Sequence, residues 1–360
     1  MSTNILSLTE ATAIRASFDK ERGGVRRAAP TNLTHTISGI QFPVNTKVRK
    51  EDGVLPCLDA IPNYRDCQFG DIKEDQWHIA LAVAEALENK TNLNAWIYGT
   101  SGTGKDAWVH NLASQLRIPS RKFSIAPNKD TEAWMYTHRL KNGEDYYDFG
   151  KLWEAATEGY TDADGVVHPY LILVSDMDRA NGDQMETFRT LMDTNAAQVD
   201  GPGGISKAII PGTIIIATAN SMGGGDETGR CLSSNVVDAS IINRFHMKIK
   251  FTPMQWEDEQ HVCLGMFPHL FEAHPSALQM VGQVTTALRT AISKSEVYTE
   301  FSARDLQYWL AHCCRIMKHS KSMKTQNLLK LGFRTILDGQ PDSGTRLAVA
   351  RLANPTLGTI

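Results

Sequence analysis

The sequence predicts an α/β fold of three layers, a parallel sheet between two helical layers, followed by a smaller helical domain. Three observations carry that expectation. Two runs, Tyr170-Leu171-Ile172-Leu173-Val174 and Thr213 to Thr218, are apolar almost without interruption, as strands buried on both faces of a parallel sheet are. Between about Gln76 and Thr252 such runs alternate with segments of helical periodicity, the pattern of repeated strand–helix–strand crossovers. From about Pro253 onward only helical patterns remain.

Composition sets the outer limits. The 360 residues are 42% apolar and 21% charged with a net charge of −3, enough for one large or two ordinary domains. A charge so near neutral gives no case for wholesale nucleic-acid binding. The longest apolar run, around Ile209 to Ala219, contains Pro211 and Gly212 and is too short to span a bilayer. Met1 to Thr12 lacks the basic start and apolar block of a signal peptide, so the expectation is a cytoplasmic protein with no membrane partner. Six scattered cysteines (Cys57, Cys67, Cys231, Cys263, Cys313, Cys314) show no paired C-x-x-C spacing. They indicate neither a zinc site nor a disulfide framework.

In chain order, residues 1–75 read as an irregular extension, with a helical pattern near Leu8–Arg22 and prolines at 30, 43, 56 and 62. Its basic residues Arg22, Arg26, Arg27, Lys47, Arg49 and Lys50 read as solvated surface, with subunit packing or a grip on nucleic acid as the alternatives. Gln76–Leu87 places Trp77, Ala80, Val83, Ala84 and Leu87 on one helical face. An apolar strand, Trp96-Ile97-Tyr98, leads into a glycine-rich turn and a helix over Lys105–Leu116. Then come a strand over Ile118–Ile125, a short helix over Thr131–Leu140, a turn at Lys141–Asp145 and a helix over Lys151–Glu158. Asp162–His168 reads as a polar hairpin tip, Asp183–Thr194 as a helix, and Gly201–Gly204 as a loop. The helical domain is expected to contain Trp256–Phe267, Ala277–Ser293, Ser302–His319, Thr325–Leu337 and Ser343–Leu352. The resulting division is a 1–75 extension, a 76–252 α/β domain and a 253–360 helical domain.

The chemistry gathers at strand ends. Gly99-Thr100-Ser101-Gly102-Thr103-Gly104-Lys105 has the spacing of a phosphate-binding P-loop. Glycines let successive N–H groups turn inward around anionic oxygens, the helix adds its positive N-terminal end, and Lys105 reaches the β- and γ-phosphates. The next residue, where a hydroxyl ligand for Mg²⁺ is expected, is Asp106. A second signal is Ser175-Asp176 after the Leu171–Val174 run, and a third is Asn220 after Thr213–Thr218. Ligands of open parallel sheets collect at such ends.

These residues carry a resemblance. The ordered series Gly99–Asp106, Ser175-Asp176-Met177-Asp178, Ala217–Ser221, Gly225–Gly229, Ile242–Phe245 and Ser302–Leu306 resembles the AAA+ ATPases, their MoxR-like clade, and most closely the cobaltochelatase ATPase family CobS. The resemblance spans about residues 75–350. It implies ATP and Mg²⁺ as cofactors and a homo-oligomeric ring, a hexamer, that remodels a protein partner such as a CobT-like protein with a von Willebrand A domain. By position it makes Asp176 the water-orienting carboxylate and Asn220 the sensor-1 residue. Arg244 becomes the arginine finger offered to a neighbouring subunit, and Arg304 the sensor-2 arginine of the lid. Arginines in these positions neutralise transition-state charge.

Two departures from that pattern are reciprocal. The hydroxyl of the phosphate loop has become Asp106, and the metal-binding carboxylate of the second strand has become Ser175. An exchange of roles would still give Mg²⁺ one carboxylate and one hydroxyl. The competing readings are a hydrolysis-deficient, nucleotide-dependent assembly module and a nucleic-acid translocase. The resemblance also makes Lys141–Gly150 a substrate- or pore-facing insert with Tyr146, Tyr147 and Phe149 as contact residues. Gly201–Pro211, with Lys207, becomes a second pore-facing hairpin, and the glycines of Gly223–Gly229, which allow close backbone approach, give that segment a place near the nucleotide or subunit boundary.

Overall fold

The computed structural model describes residues 34–37, 40–43, 47–48, 53–55, 74–141, 144–193, 198–224, 235–320 and 322–359. The expected helix at Leu8–Arg22, the basic residues of the extension other than Lys47, and residues 225–229 of the glycine-rich segment lie outside this set. Two compact units emerge, one ending at Thr252 and the other beginning at Pro253.

The first unit is organised by one five-stranded sheet. After the small hairpin β1 (Thr34–Ile37) and β2 (Ile40–Pro43), helix α1 (Glu74–Asn89) leads into β3 (Leu93–Tyr98), and α2 (Lys105–Leu116) into β4 (Ser120–Ser124). Further along come the hairpin β5 (Tyr136–Lys141) and β6 (Glu144–Phe149), helix α3 (Lys151–Thr157), the short pair β7 (Tyr160–Thr161) and β8 (Val167–His168), and strand β9 (Leu171–Ser175). Helix α4 (Gly182–Leu191), the pair β10 (Gln198–Asp200) and β11 (Ser206–Ala208), strand β12 (Ile214–Ala219), helix α5 (Ala239–Ile242) and β13 (Met247–Lys250) complete the unit. The large sheet runs β13-β3-β12-β9-β4, and every neighbouring pair in it is parallel.

Strand geometry explains the two apolar runs. Side chains alternate between faces, so Ala95, Ile97, Leu171, Leu173, Ile214 and Ile216 pack with α1 and α2 on one side. Trp96, Ile172, Val174, Ile215 and Ala217 pack with residues of α3 and α4 on the other. Both faces are covered, and so neither alternates with polar residues. Burial of each large apolar side chain contributes about 1.5–3 kcal/mol. On α2, Trp108, Val109, Leu112, Ala113 and Leu116 are fully buried, and Trp108 meets Phe251 edge-on at 5.5 Å. That stripe fixes the start of the helix against the sheet. Helix α4 begins with a capping box in which Asn181 and Gln184 exchange hydrogen bonds.

One expected element is corrected. The helix anticipated over Thr131–Leu140 is a single 3-10 turn, Glu132–Trp134, followed by β5, which pairs antiparallel with β6. The cause is local packing around Gly150. Its N–H donates to the Met135 carbonyl at 2.8 Å, and a Cβ there would lie 2.3 Å from the Trp134 carbonyl oxygen. The returning chain is thus held against the turn, and Tyr136-Thr137-His138 follow it as strand-forming residues. The hairpin leaves Leu140, Tyr146 and Tyr147 exposed, whereas Phe149 stacks on Trp153 at 4.7 Å.

The second unit is helical, with α6 (Trp256–Met266), α7 (Pro268–Ala273), α8 (Ala277–Ser293), α9 (Ala303–His319), α10 (Thr325–Asp338) and α11 (Ser343–Leu357). The first expected helix gains α7 as a continuation beyond a break at Phe267. The last runs past Leu352 because Ala353 and Leu357 extend its buried stripe. Glu259, 2% exposed as a side chain, is held by a two-pronged Arg289 contact at 2.6 and 3.0 Å, the geometry in which such a pair is strongest. Ser302 caps α9. Helices α9 and α10 cross at Gly332, where an added methyl would meet Cys313 Sγ at 2.2 Å and Trp309 Cδ1 at 3.1 Å. Gly332→Ala is therefore expected to lower the guanidinium midpoint of the full chain, the overpacking penalty of about 1–3 kcal/mol exceeding the helix-propensity gain of up to about 1 kcal/mol. Unchanged or raised stability would contradict this crossing.

Candidate phosphate-binding site

The glycine-rich turn leaves β3 at Gly99, and the sheet itself dictates that residue. The Phe251 N–H donates to the Tyr98 carbonyl at 2.7 Å, and a Cβ on Gly99 would fall 2.3 Å from the Phe251 carbonyl oxygen. Gly104, at φ 83, turns the chain into α2 through a left-handed conformation that glycine adopts at no steric cost. The Thr103 hydroxyl donates to the Thr100 carbonyl at 3.0 Å. Lys105 is held inside the loop, its ammonium donating to the Gly99 and Thr100 carbonyls at 2.8 and 3.0 Å.

Asp106, in the first turn of α2, is the hub of the site. Its Oδ2 accepts from the Ser175 hydroxyl at 2.7 Å and from the Lys122 ammonium at 2.6 Å. Its Oδ1 accepts from the Thr218 hydroxyl at 2.6 Å. The register accounts for the convergence. Lys122 pairs with Leu173, Ser124 with Ser175, and Thr218 with Ile97, all positions on the sheet face that α2 covers. Three adjacent strands, β4, β9 and β12, each send one donor from that face to a single carboxylate. Burial works to raise the Asp106 pKa, but hydrogen bonds from Lys122, Thr218 and Ser175 outweigh it and hold the carboxyl below its ordinary value.

The neighbouring carboxylates behave differently. Asp176 leaves β9 in a left-handed conformation, φ 58, which Asp tolerates better than most residues. Burial and the charges of Asp106 and Asp178 push its carboxyl up, against the opposing pull of Arg179 and Lys122. Asp178 is fully buried, and its Oδ2 accepts from the backbone N–H groups of Asn220 and Ser221 at 3.0 and 3.2 Å. It thereby ties the ends of β9 and β12 together and fixes where Asn220 begins.

Sequence reading brought Lys105, Asp106, Ser175, Asp176 and Asn220 to one end of the sheet, and the structure places them there. Strand β12 lies between β3 and β9, so Asn220 leaves the sheet between the loop and Ser175. Arg244 is elsewhere. It follows α5 and precedes β13, and its carbonyl accepts from the Asn94 side chain at 3.2 Å, at the opposite end of β3. Six residues of strand, about 20 Å at 3.3 Å per residue, separate that end from Gly99. Its guanidinium donates to the Ser240 carbonyl at 2.8 Å and lies 3.9 Å from Asp193. Arg304 stands exposed in the first turn of α9, in the helical unit. Lys207, on β11, pairs with Glu158 at 2.9 Å.

Thr218 and Lys122 were not singled out from sequence. A signal for Thr218 exists, since it is the one polar residue on the α2-facing positions of an otherwise apolar strand. Lys122 carries none, because its reach depends on which strand borders β9. For Mg²⁺, the donors present are one carboxylate and two hydroxyls, all hard oxygens. They fit an ion that is held by one or two carboxylates and completes its shell with water and phosphate oxygens.

No protein-family model matches the chain, and no curated protein matches it. Among solved structures the chain is similar to Thermotoga maritima RuvB, described as a Holliday junction branch migration motor. The two are 11% identical over 72% of this chain and 69% of that one, with a TM-score of 0.45. Two variants of that protein align at 11% identity over 74% of this chain and 69% of theirs, with TM-scores of 0.49 and 0.48. Likeness at this level does not assign a family.

Because burial and the charges of Asp106 and Asp178 raise the Asp176 pKa, its ionisation costs stability as pH rises from the ordinary value of 3.8 through the raised native one. Asp176→Asn removes that cost. Its melting temperature should exceed that of the unmodified chain at pH 7, and the gap should close as pH falls toward 3.8. A variant less stable at pH 7 would contradict the assignment.

Proposed function

We propose that this chain is an AAA+ ATPase of the MoxR/CobS kind, working as a ring, a hexamer, in which Asp106 and Ser175 have exchanged the usual carboxylate and hydroxyl. Residues 76–252 form its nucleotide-binding domain and 253–360 its lid. The observation that supports this most is the 2.7 Å hydrogen bond from Ser175 to Asp106. Two reciprocal departures in sequence, 69 positions apart, meet side by side at the mouth of the sheet.

In this reading the N–H groups of Gly102 to Lys105 and the N-terminal end of α2 hold the β- and γ-phosphates. Lys105, already seated in the loop, turns its ammonium from the Gly99 and Thr100 carbonyls to phosphate oxygens. Mg²⁺, held by Asp106 and Ser175, would neutralise charge developing between the β- and γ-phosphates. Asp176 accepts the proton of the attacking water, and its raised pKa brings it nearer the working pH of a general base. Asn220, whose backbone is fixed by Asp178, orients the water beside the γ-phosphate. Arg244, at the far end of its own sheet, cannot serve its own phosphate loop and would reach the triphosphate of a neighbouring subunit. By the resemblance, Arg304 would be the sensor-2 arginine. The partner would be a protein remodelled by the ring, CobT-like by resemblance.

A slower outcome has an observation of its own. Asp176 is one methylene shorter than glutamate, so its carboxylate reaches less far toward a water at the γ-phosphate. A nucleotide-dependent assembly module that hydrolyses little is therefore the second reading.

Fluorescent-ATP binding and steady-state ATPase assays test both. Asp106→Thr and Ser175→Asp should each weaken the metal's hold on the ATP-bound chain, read as an about 10–100-fold rise in the Mg²⁺ concentration that half-saturates it, as loss of a metal-site partner does, and the double variant should recover most of it. Equal tolerance of all three variants would count against the exchange. Asp176→Asn should leave ATP binding intact and lower kcat by about 10²–10⁴-fold. An unmodified chain that binds ATP without turnover would favour the assembly module.

A further inference from the structure

Asp106 poses an electrostatic difficulty that the usual hydroxyl does not. It sets a full negative charge beside the place where phosphates would lie, and like charges at such range repel strongly in a half-buried site. The structure contains an answer in Lys122. Its ammonium lies 2.6 Å from Asp106 Oδ2, on the same oxygen that accepts from Ser175. Both side chains are only about a third exposed, at 39% and 33%, and Asp106 is held from its other oxygen by Thr218. Charge-assisted hydrogen bonds to a carboxylate pinned in this way are stronger than those of a mobile surface pair.

We infer that Lys122 is a tethered counter-cation that takes over the charge-neutralising part of a metal's role at Asp106, so that nucleotide binds this chain without a divalent ion. The inference rests on the nucleotide reading given above. Lys122 cancels the charge of Asp106 and leaves Lys105 for the phosphates. It also bears on Asp176, whose carboxylate it stabilises electrostatically alongside Arg179. Lysine suits the task because its ammonium is a compact point charge on a flexible four-carbon stem. It reaches Asp106 from β4, the strand at the end of the sheet order, and Asp106 with Ser175 would hold Mg²⁺ when the ion is present.

The full chain, titrated with fluorescent ATP in excess EDTA and again in Mg²⁺, tests this directly. The unmodified chain should bind in EDTA within about fivefold of its affinity in Mg²⁺. Lys122→Met should lose about tenfold or more in EDTA, where Asp106 confronts the phosphates unpaired, and should recover most of that in Mg²⁺. Lys122→Arg should keep binding in EDTA, and melting curves of both variants report their folding. An unmodified chain that binds only in Mg²⁺ overturns the inference while leaving the nucleotide reading standing. So does a Lys122→Met variant with unaltered metal dependence. Failure of the unmodified chain to bind ATP in either condition overturns the nucleotide reading itself.

Discussion

A half-buried carboxylate in the first turn of α2, at the end of a parallel sheet, has to be matched by donors, and the rest of the site follows from how this is done. Asp106 meets donors from three neighbouring strands: Lys122 and Ser175 on one oxygen and Thr218 on the other. The arrangement depends on strand order. With β12 between β3 and β9, and β9 beside β4, residues from distant parts of the chain share one face at one height. Trp108, packed against Phe251, fixes α2 over that face and so holds the hub in position.

The layout also separates two kinds of chemistry. The carboxyl ends of the strands gather the loop, Asp106, Ser175, Asp176 and Asn220. The amino ends gather Arg244, Asn94 and His246, where the Asn94 N–H donates to His246 Nδ1 at 3.1 Å and the His246 N–H donates back to the Asn94 carbonyl at 2.9 Å. Phe245 meets Trp96 edge-on at 5.0 Å, locking Arg244's neighbour into the core. Arg244 is thereby held at the end of the sheet away from the glycine-rich loop.

Much of this could be read from the sequence, for identifiable reasons. Continuous apolar runs mark doubly covered strands, so β9 and β12 were evident, and helical periodicity gave Lys105–Leu116 and Ala277–Ser293 to the residue. The reciprocal change at Asp106 and Ser175 was visible because each residue departs from a spaced motif. What escaped depends on long-range pairing. Thr218 and Lys122 join the site through register between strands, which no local pattern encodes. The hairpin after Met135 escaped because its fold is decided by the close approach of Gly150 to the Trp134 carbonyl. Local propensity alone did not separate that outcome from a helix.

The central claim is that Lys105, Asp106 and Ser175 converge on one triphosphate. A crystal structure of the chain with a non-hydrolysable ATP analogue and Mn²⁺, with the metal located by its anomalous signal, tests it most directly. The account predicts the β- and γ-phosphates in the Gly99–Lys105 loop, within hydrogen-bond reach of the Lys105 ammonium, and Mn²⁺ on Asp106 and Ser175. Nucleotide bound away from that loop, or Mn²⁺ held by other side chains, would contradict it.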